Sequence, residues 1–361
     1  MNRTLLITSD FPPRRGGVAR YYGGLAQTLP EFAVLTNVLG AGGENIYRTS
    51  WTWPGWPRWL PLLWVVPRWK YITKASFLAA GEILPIGTAL LFIRLAFGWR
   101  YFVFVHGLDV QLAGRNVWKR WLTRQVLARA ALVIANSNFT REFALGAGAT
   151  PKATVVVYPA VSLLSVDKAA VEQLRQTHGL QGKQVVLTVA RLVERKGIPW
   201  ALSAVAELQS THPNMRYVVV GEGPEREVLA HQAQESGANV IFVGAVADTE
   251  LAAWYALADV FVLTPQEDPQ DVEGFGIVYL EAQAAGVPVV ASPVGGVPEA
   301  VGECGVFVRN QAELSAALQS LLENPERRRS LVAQGLERVR AFSATHQAQV
   351  LRNYLDKLGG S

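Results

Sequence analysis

The sequence predicts an α/β protein of two Rossmann-like lobes, each built on a parallel sheet, and three observations predict it. Short apolar runs of strand length alternate with helix-length stretches from end to end, the pattern left by parallel strands joined through crossover helices. The length, 361 residues, suits two domains at roughly 150 residues each. The balance of charge changes sign near Ala160, beside a connecting stretch from Pro159 to Gln184 that carries Gly179 and Gly182. With 50% of residues hydrophobic and 17% charged, disorder is excluded as the main state.

In the first lobe, expected over residues 1–162, the clearest strands are Thr4 to Thr8, Tyr101 to Val105, Leu132 to Ala135 and Thr154 to Val157. The second, expected over 163–342, is more regular. Its strands begin near Val185, Arg216, Val240, Val260, Val287 and Val306, with helical stretches such as Trp200 to Gln209 and Leu251 to Ala258 between them. The apolar run after Asn2 and Arg3 is too short for a secretory signal, and Cys304 is the single cysteine, so a reducing, cytoplasmic setting is expected. The longest apolar stretch, Ile83 to Ile93, is eleven residues long and holds Pro85 and Gly87, well short of the roughly 20 residues of a spanning helix.

Residues 1–160 hold 18 Lys/Arg against 6 Asp/Glu, whereas 161–361 hold 16 against 23, so a net charge of +5 conceals a basic half and an acidic half. A basic half points to an anionic partner. Six of the eleven tryptophans fall between Trp51 and Trp69, interleaved with Arg58, Arg68 and Lys70. Tryptophan beside cations and apolar residues suits the headgroup layer of a membrane, so Trp51, Trp53, Trp56, Arg58 and Trp59 are expected to meet membrane or acceptor. The alternative is that these rings pack as a satellite core under a long loop.

In doubly wound sheets ligands bind beyond the carboxyl ends of the strands, so the residues just after each strand carry the most information. After the first strand, Gly16 and Gly17 stand where SDFPPRRGGVARYY turns into a helix, a place where backbone amides can approach an anion or simply make a tight turn. Neither GxGxxG nor GxxxxGK is present. His106 follows YFVFV in VHGLDV; no HExxH occurs, so zinc hydrolysis has no support. Arg191 and Lys196 flank LVER directly after QVVLTVA, two cations placed to neutralise a diphosphate or to lie in a solvated loop. The strongest signal is EGFGIVYLEAQAAGVPVV, in which Glu273, Gly274, Phe275 and Gly276 precede a short helix that contains Glu281. Carboxylates accept hydrogen bonds from hydroxyls and helix-start amides favour phosphate, a pairing that suits a nucleotide sugar.

Taken in order, the GG loop, the HG histidine, the Arg/Lys pair and the ExxxxxxxE element resemble the retaining glycosyltransferases of family 4 over nearly the whole chain. The stretch DVEGFGIVYLEAQAAGVPVVASPVGGVPEAV, with IANSNFTRE and VVGEGPE, looks most like the phosphatidylinositol mannosyltransferase branch. The resemblance implies a GT-B architecture, two Rossmann-like lobes facing across a cleft, with a last helix, about 343–361, returning to the first lobe. It implies that Gly16 and Gly17 approach the donor phosphate, Arg191 and Lys196 hold the diphosphate, and Glu273 and His106 meet the transferred sugar. It further implies that Phe275 and Gly276 offer backbone amides, with Gly274 beside them, and that Glu281 accepts from the ribose. A front-face reaction without a protein nucleophile follows from it, with no resident cofactor and no metal for binding; no DxD motif occurs. One departure is PAVSLL, Pro159 to Leu164, where the family has a glycine before Val-Asp.

The function expected is that of a peripheral membrane mannosyltransferase in glycolipid synthesis, taking GDP-mannose and a lipid-linked or amphipathic acceptor at the cytoplasmic face. A UDP-sugar donor is the alternative within the same fold. A sugar-nucleotide epimerase and a non-enzymatic membrane or nucleic-acid module are the readings from other classes. No recognised nucleic-acid motif accompanies the aromatic residues, and no nucleic acid is expected.

Overall fold

The computed structural model describes residues 3–51, 55, 57, 59–113, 116–161, 166–268 and 271–359. The chain forms two compact units. The first is Met1–Ala160 with Gln270–Phe275 and Ala344–Ser361, and the second is Val161–Pro269 with Gly276–Ser343. Chain order and packing therefore differ at two places: the segment ending at Phe275 and the tail that starts at Ala344 both pack with the first unit, although the chain before each belongs to the second.

The first unit holds seven strands, β1 (Thr4–Thr8), β2 (Phe32–Thr36), β3 (Ile46–Arg48), β4 (Phe77–Ala80), β5 (Tyr101–Val105), β6 (Leu132–Ala135) and β7 (Thr154–Val156). They lie in the order β3-β2-β1-β4-β5-β6-β7, every pair parallel, with Thr4 of β1 opposite Phe32 on one side and Phe77 on the other. A parallel sheet covered on both faces needs apolar residues at consecutive positions, and TLLIT, FLAA and YFVFV are buried throughout. One face packs against helices Leu62–Thr73, Thr88–Phe97 and Val117–Arg129 through Leu62, Val66, Leu90, Ile93, Val126 and Leu127. The other is covered by Gly17–Thr28 and by the last helix, Ala344–Gly359. Leu351 and Leu355 of that last helix are buried among Tyr21, Phe32 and Phe102, each contributing about 2 kcal/mol of apolar burial. Arg352 Nε lies 2.6 Å from Glu31 Oε1, and the Tyr158 backbone N–H donates to Gln347 Oε1 at 3.0 Å.

The second unit holds six strands, β8 (Gln184–Val189), β9 (Met215–Val220), β10 (Val240–Gly244), β11 (Val260–Leu263), β12 (Val289–Ala291) and β13 (Gly305–Phe307). Their order is β10-β9-β8-β11-β12-β13, again all parallel. Both sheets thus begin in the middle, wind outward one way, and return to the other side of the first strand. The reversal falls between β1 and β4 in one unit and between β8 and β11 in the other, and at such points the carboxyl ends open a crevice for ligands. No helix among the described residues is long and apolar enough to cross a membrane.

Candidate active site

At the carboxyl end of β5, His106 is half-buried within an aromatic box. Its ring meets those of Tyr21 and Tyr22 edge-on, each at 5.4 Å. Its Nε2 is 2.7 Å from the Tyr22 hydroxyl, which also lies 2.6 Å from the Gly81 carbonyl. A carbonyl can only accept, so the single tyrosine proton goes to Gly81 and the tyrosine oxygen accepts from Nε2–H. Burial holds the imidazole neutral by lowering its pKa to about 4. Neutrality and the Nε2–H tautomer together leave Nδ1 as a hydrogen-bond acceptor.

Two carboxylates frame this box. Asp109 Oδ1 accepts from the backbone N–H groups of His106 and Val110, each at 3.0 Å, and burial raises its pKa to about 6. Its Oδ2 is buried with no hydrogen-bond partner among the described residues. Glu82, one residue past Gly81 at the end of β4, accepts from the Ser9 backbone N–H through Oε1 at 3.1 Å, joining the ends of β1 and β4 at the point of reversal. Burial pushes its pKa up. Gly16, exposed after β1, is the N-cap of Gly17–Thr28; that helix has no side-chain cap and no acid in its first turn, leaving its start to the amides.

Segment 271–275 is seated on the same strand end. The Ser137 hydroxyl donates to the Gly274 carbonyl at 2.6 Å, and the Val272 N–H donates to Gln111 Oε1 at 3.2 Å. A Cβ at Gly274 would stand 2.2 Å from the His106 carbonyl oxygen, so only glycine permits this approach. Phe275 is buried against Tyr158, with ring centroids 5.6 Å apart. Glu273 is half-buried between these anchors, so packing brings Glu273 and His106 into one unit.

In the second unit, Arg191 is exposed just beyond β8, and Lys196 ends the short turn Glu194–Lys196. Gly197 follows with φ +64°, and a Cβ there would fall 1.8 Å from the Thr264 carbonyl oxygen. The loops after β8 and β11 are locked backbone to backbone at this glycine, with Gln266 N–H donating to Arg195 O at 2.7 Å. Helix Ile277–Ala284 starts at Gly276, without side-chain cap or first-turn acid, so its first amides suit an anion. Glu281 is buried in that helix and accepts from the Tyr255 hydroxyl at 2.8 Å, which orients the carboxylate; the Tyr279 hydroxyl ties the helix to the Leu263 carbonyl at 3.0 Å.

The tryptophan run is placed differently from its sequence expectation. Trp51 is only 5% exposed and belongs to the core with Leu62 and Val66, so its ring packs inward and does not serve as an interfacial anchor. Trp59 is half-buried and stacked on Phe92 at 5.7 Å. Trp53, Trp56 and Arg58 lie outside the described residues, as do residues 162–165, including the end of the PAVSLL departure. Among the described residues no group of three or more His, Cys, Asp and Glu is gathered as a metal site would need.

Two doubly wound, all-parallel sheets in two compact units are the framework of the GT-B fold. Residues 15–163 match the family model for glycosyltransferase family 4, and residues 170–338 match that for glycosyl transferases group 1. The chain belongs to glycosyltransferase family 4, whose members act with retention. It is 32% identical over 372 residues, 94% of each chain, to a GDP-mannose-dependent alpha-(1-6)-phosphatidylinositol monomannoside mannosyltransferase of Mycobacterium tuberculosis. It is 30% identical over 366 residues, 94% of this chain and 93% of the relative, to a GDP-mannose-dependent monoacylated alpha-(1-6)-phosphatidylinositol monomannoside mannosyltransferase of Corynebacterium glutamicum. Among solved structures it resembles Anabaena HepE, crystallised in complex with UDP, with a TM-score of 0.85 at 21% identity over 99% of this chain and 100% of that one.

Proposed function

We propose that this glycosyltransferase moves mannose from GDP-mannose, with retention, onto a lipid-linked or amphipathic acceptor at the cytoplasmic face of a membrane. The observation that carries the proposal is the likeness, over 94% of both chains, to an enzyme whose name specifies GDP-mannose and a phosphatidylinositol mannoside.

The chemical task is to stabilise a departing diphosphate while the sugar takes on oxocarbenium character. Arg191 and Lys196 neutralise the diphosphate, and the amides at Phe275, Gly276 and the start of Ile277–Ala284 add fixed dipoles that need no reorganisation. Glu281, oriented by Tyr255, accepts from the ribose hydroxyls. Glu273 and His106 Nδ1 accept from hydroxyls of the transferred sugar and hold it for attack on the face the diphosphate leaves. The leaving group takes the acceptor proton, so no protein nucleophile is required. Keeping His106 neutral matters here: a positive imidazole about 5 Å from the oxocarbenium would oppose it by roughly 3 kcal/mol at an effective dielectric near 20.

A thermal-shift titration with GDP, UDP, ADP and dTDP tests the donor, because a ligand bound only by the native state stabilises it by about 2.7 kcal/mol at a hundred times its Kd. A rise of several degrees selective for GDP is expected. A UDP-selective rise replaces the donor, and no rise with any nucleotide returns the protein to the binding-module alternative. Transfer to phosphatidylinositol and polyprenyl acceptors tests the lipid assignment, which fails if only soluble sugars are glycosylated.

A further inference from the structure

Among the described residues, twelve of the fourteen large apolar side chains left exposed lie in the first unit, and nine of these sit on helices Leu62–Thr73, Thr88–Phe97 and Val117–Arg129. The three helices cover one face of the seven-stranded sheet, with Thr88–Phe97 in contact with both others. Their inner sides supply Val66, Leu90, Ile93 and Val126 to the core. Their outer sides carry a second apolar set: Trp64 and Tyr71, Phe92 and Leu95, Trp118 and Trp121. The spacings are helical, i to i+7 in the first and i to i+3 in the others. Tyr71 is 86% exposed and Trp118 77%, so these rings are spent on no internal contact that shields them. Trp118 and Trp121 meet edge to face, with centroids 6.0 Å apart.

Charge on these helices is of one sign. They hold seven Lys/Arg and no Asp or Glu, and Arg68, Lys119, Arg120 and Arg124 are exposed between the rings. The helices on the opposite sheet face, Gly17–Thr28 and Ala344–Gly359, leave no large apolar side chain exposed. Soluble proteins rarely display contiguous apolar area of this kind without a partner, and amphipathic rings interleaved with cations suit a layer in which apolar chains lie under anionic headgroups.

We infer that this three-helix face docks on an acidic lipid bilayer, with the outward rings entering the headgroup layer and the cations against lipid phosphate. The surface takes in only the end of the tryptophan run, Trp64 with Arg68, since Trp51 faces the core and Trp59 is half-buried against Phe92. The inference deepens the lipid-acceptor reading and rests on it only for the identity of the substrate; docking needs neither donor nor turnover.

Flotation of the full chain with vesicles tests it. The protein is expected to rise with phosphatidylcholine–phosphatidylglycerol vesicles in 0.1 M NaCl, and about tenfold less with phosphatidylcholine alone or in 0.5 M NaCl, where screening is strong. Trp118→Ser with Trp121→Ser, and separately Lys119→Glu with Arg124→Glu, should each lower flotation about tenfold while the thermal melt by circular dichroism stays near that of wild type. If one pair impairs folding, the other decides. Equal flotation with neutral and acidic vesicles, no flotation with either, or folded variants that rise like wild type would overturn the inference. A GDP shift without flotation removes this surface alone; flotation without a GDP shift removes the donor assignment alone.

Discussion

The carboxyl ends of the two sheets solve different problems with the same winding. Beyond β8 and β11, backbone is locked to backbone at Gly197, exposed Arg191 and half-buried Lys196 stand on the β8 loop, and the nearby helix start is left uncapped. Beyond β1, β4 and β5 the prominent groups are instead a neutral imidazole, two tyrosines and the half-buried carboxylates Glu82 and Asp109. Fixed positive potential suits a leaving group whose negative charge grows; neutral acceptors suit a sugar becoming cationic. The common topology sets where each sheet can take a ligand, and the side chains at its strand ends set which chemistry it suits.

The division is tested most sharply by two glutamates eight residues apart. Glu273→Ala should lower transfer by at least about 100-fold while GDP affinity stays within a few-fold, because the lost acceptor is assigned to the sugar. Glu281→Ala should weaken GDP binding by about 10- to 100-fold, and loss of the charge-assisted bond from the Tyr255 hydroxyl adds about 1–3 kcal/mol of destabilisation, measurable by thermal melting. Parallel nucleotide titrations and transfer assays read both. Equal loss of binding and transfer in the two variants would erase the distinction between the strand ends.

Much of this arrangement is legible in the sequence, and the parts that are not are hidden for different physical reasons. The second sheet is readable because QVVLTV, MRYVVV and VFVL are β-branched runs between helical stretches. In the first sheet β2, β3 and β4 escape: β3 is three residues long, and FLAA of β4 is half alanine, a weak strand former. The weak strand signal of β4 conceals Glu82, whose position beyond a strand end is not marked in the sequence. Tyr22 and Tyr255 are invisible for another reason. Each lies within a helix and looks like core until the fold brings it to His106 or Glu281. The placement of 270–275 with the first unit depends on contacts far apart in sequence, Gly274 with Ser137 and Val272 with Gln111, which no local pattern records.

The tyrosine offers a finer test of the imidazole's side of the comparison. In Tyr22→Phe the ring remains to fill the box, but Gly81 loses its donor and Nε2–H its acceptor, so nothing selects the tautomer that leaves Nδ1 to accept. Transfer should fall about tenfold in kcat with GDP affinity unchanged, and stability by about 1–2 kcal/mol. Wild-type kcat in this variant would show that the tyrosine serves packing alone.

The smallest effect concerns how His106 and Asp109 offset each other. The folded-state pKa of His106 is about 4, below its ordinary 6.5, so between these values the unfolded chain binds more protons and this group's contribution to stability rises with pH. That of Asp109 is about 6, above its ordinary 3.8, so the folded chain binds the extra proton in that window and stability falls as pH rises. Between pH 4 and 6 the two slopes oppose, and the wild type should be nearly flat there as far as this pair governs it. Asp109→Asn retains an amide oxygen to accept from His106 and Val110 but removes the buried charge. The variant should match wild type near pH 4 and exceed it by about 1–3 kcal/mol at pH 7, with its stability now climbing from pH 4 to 6.5 as His106 alone dictates. Denaturant melts across that range measure both curves, and parallel curves would show that Asp109 is no counterweight to the imidazole.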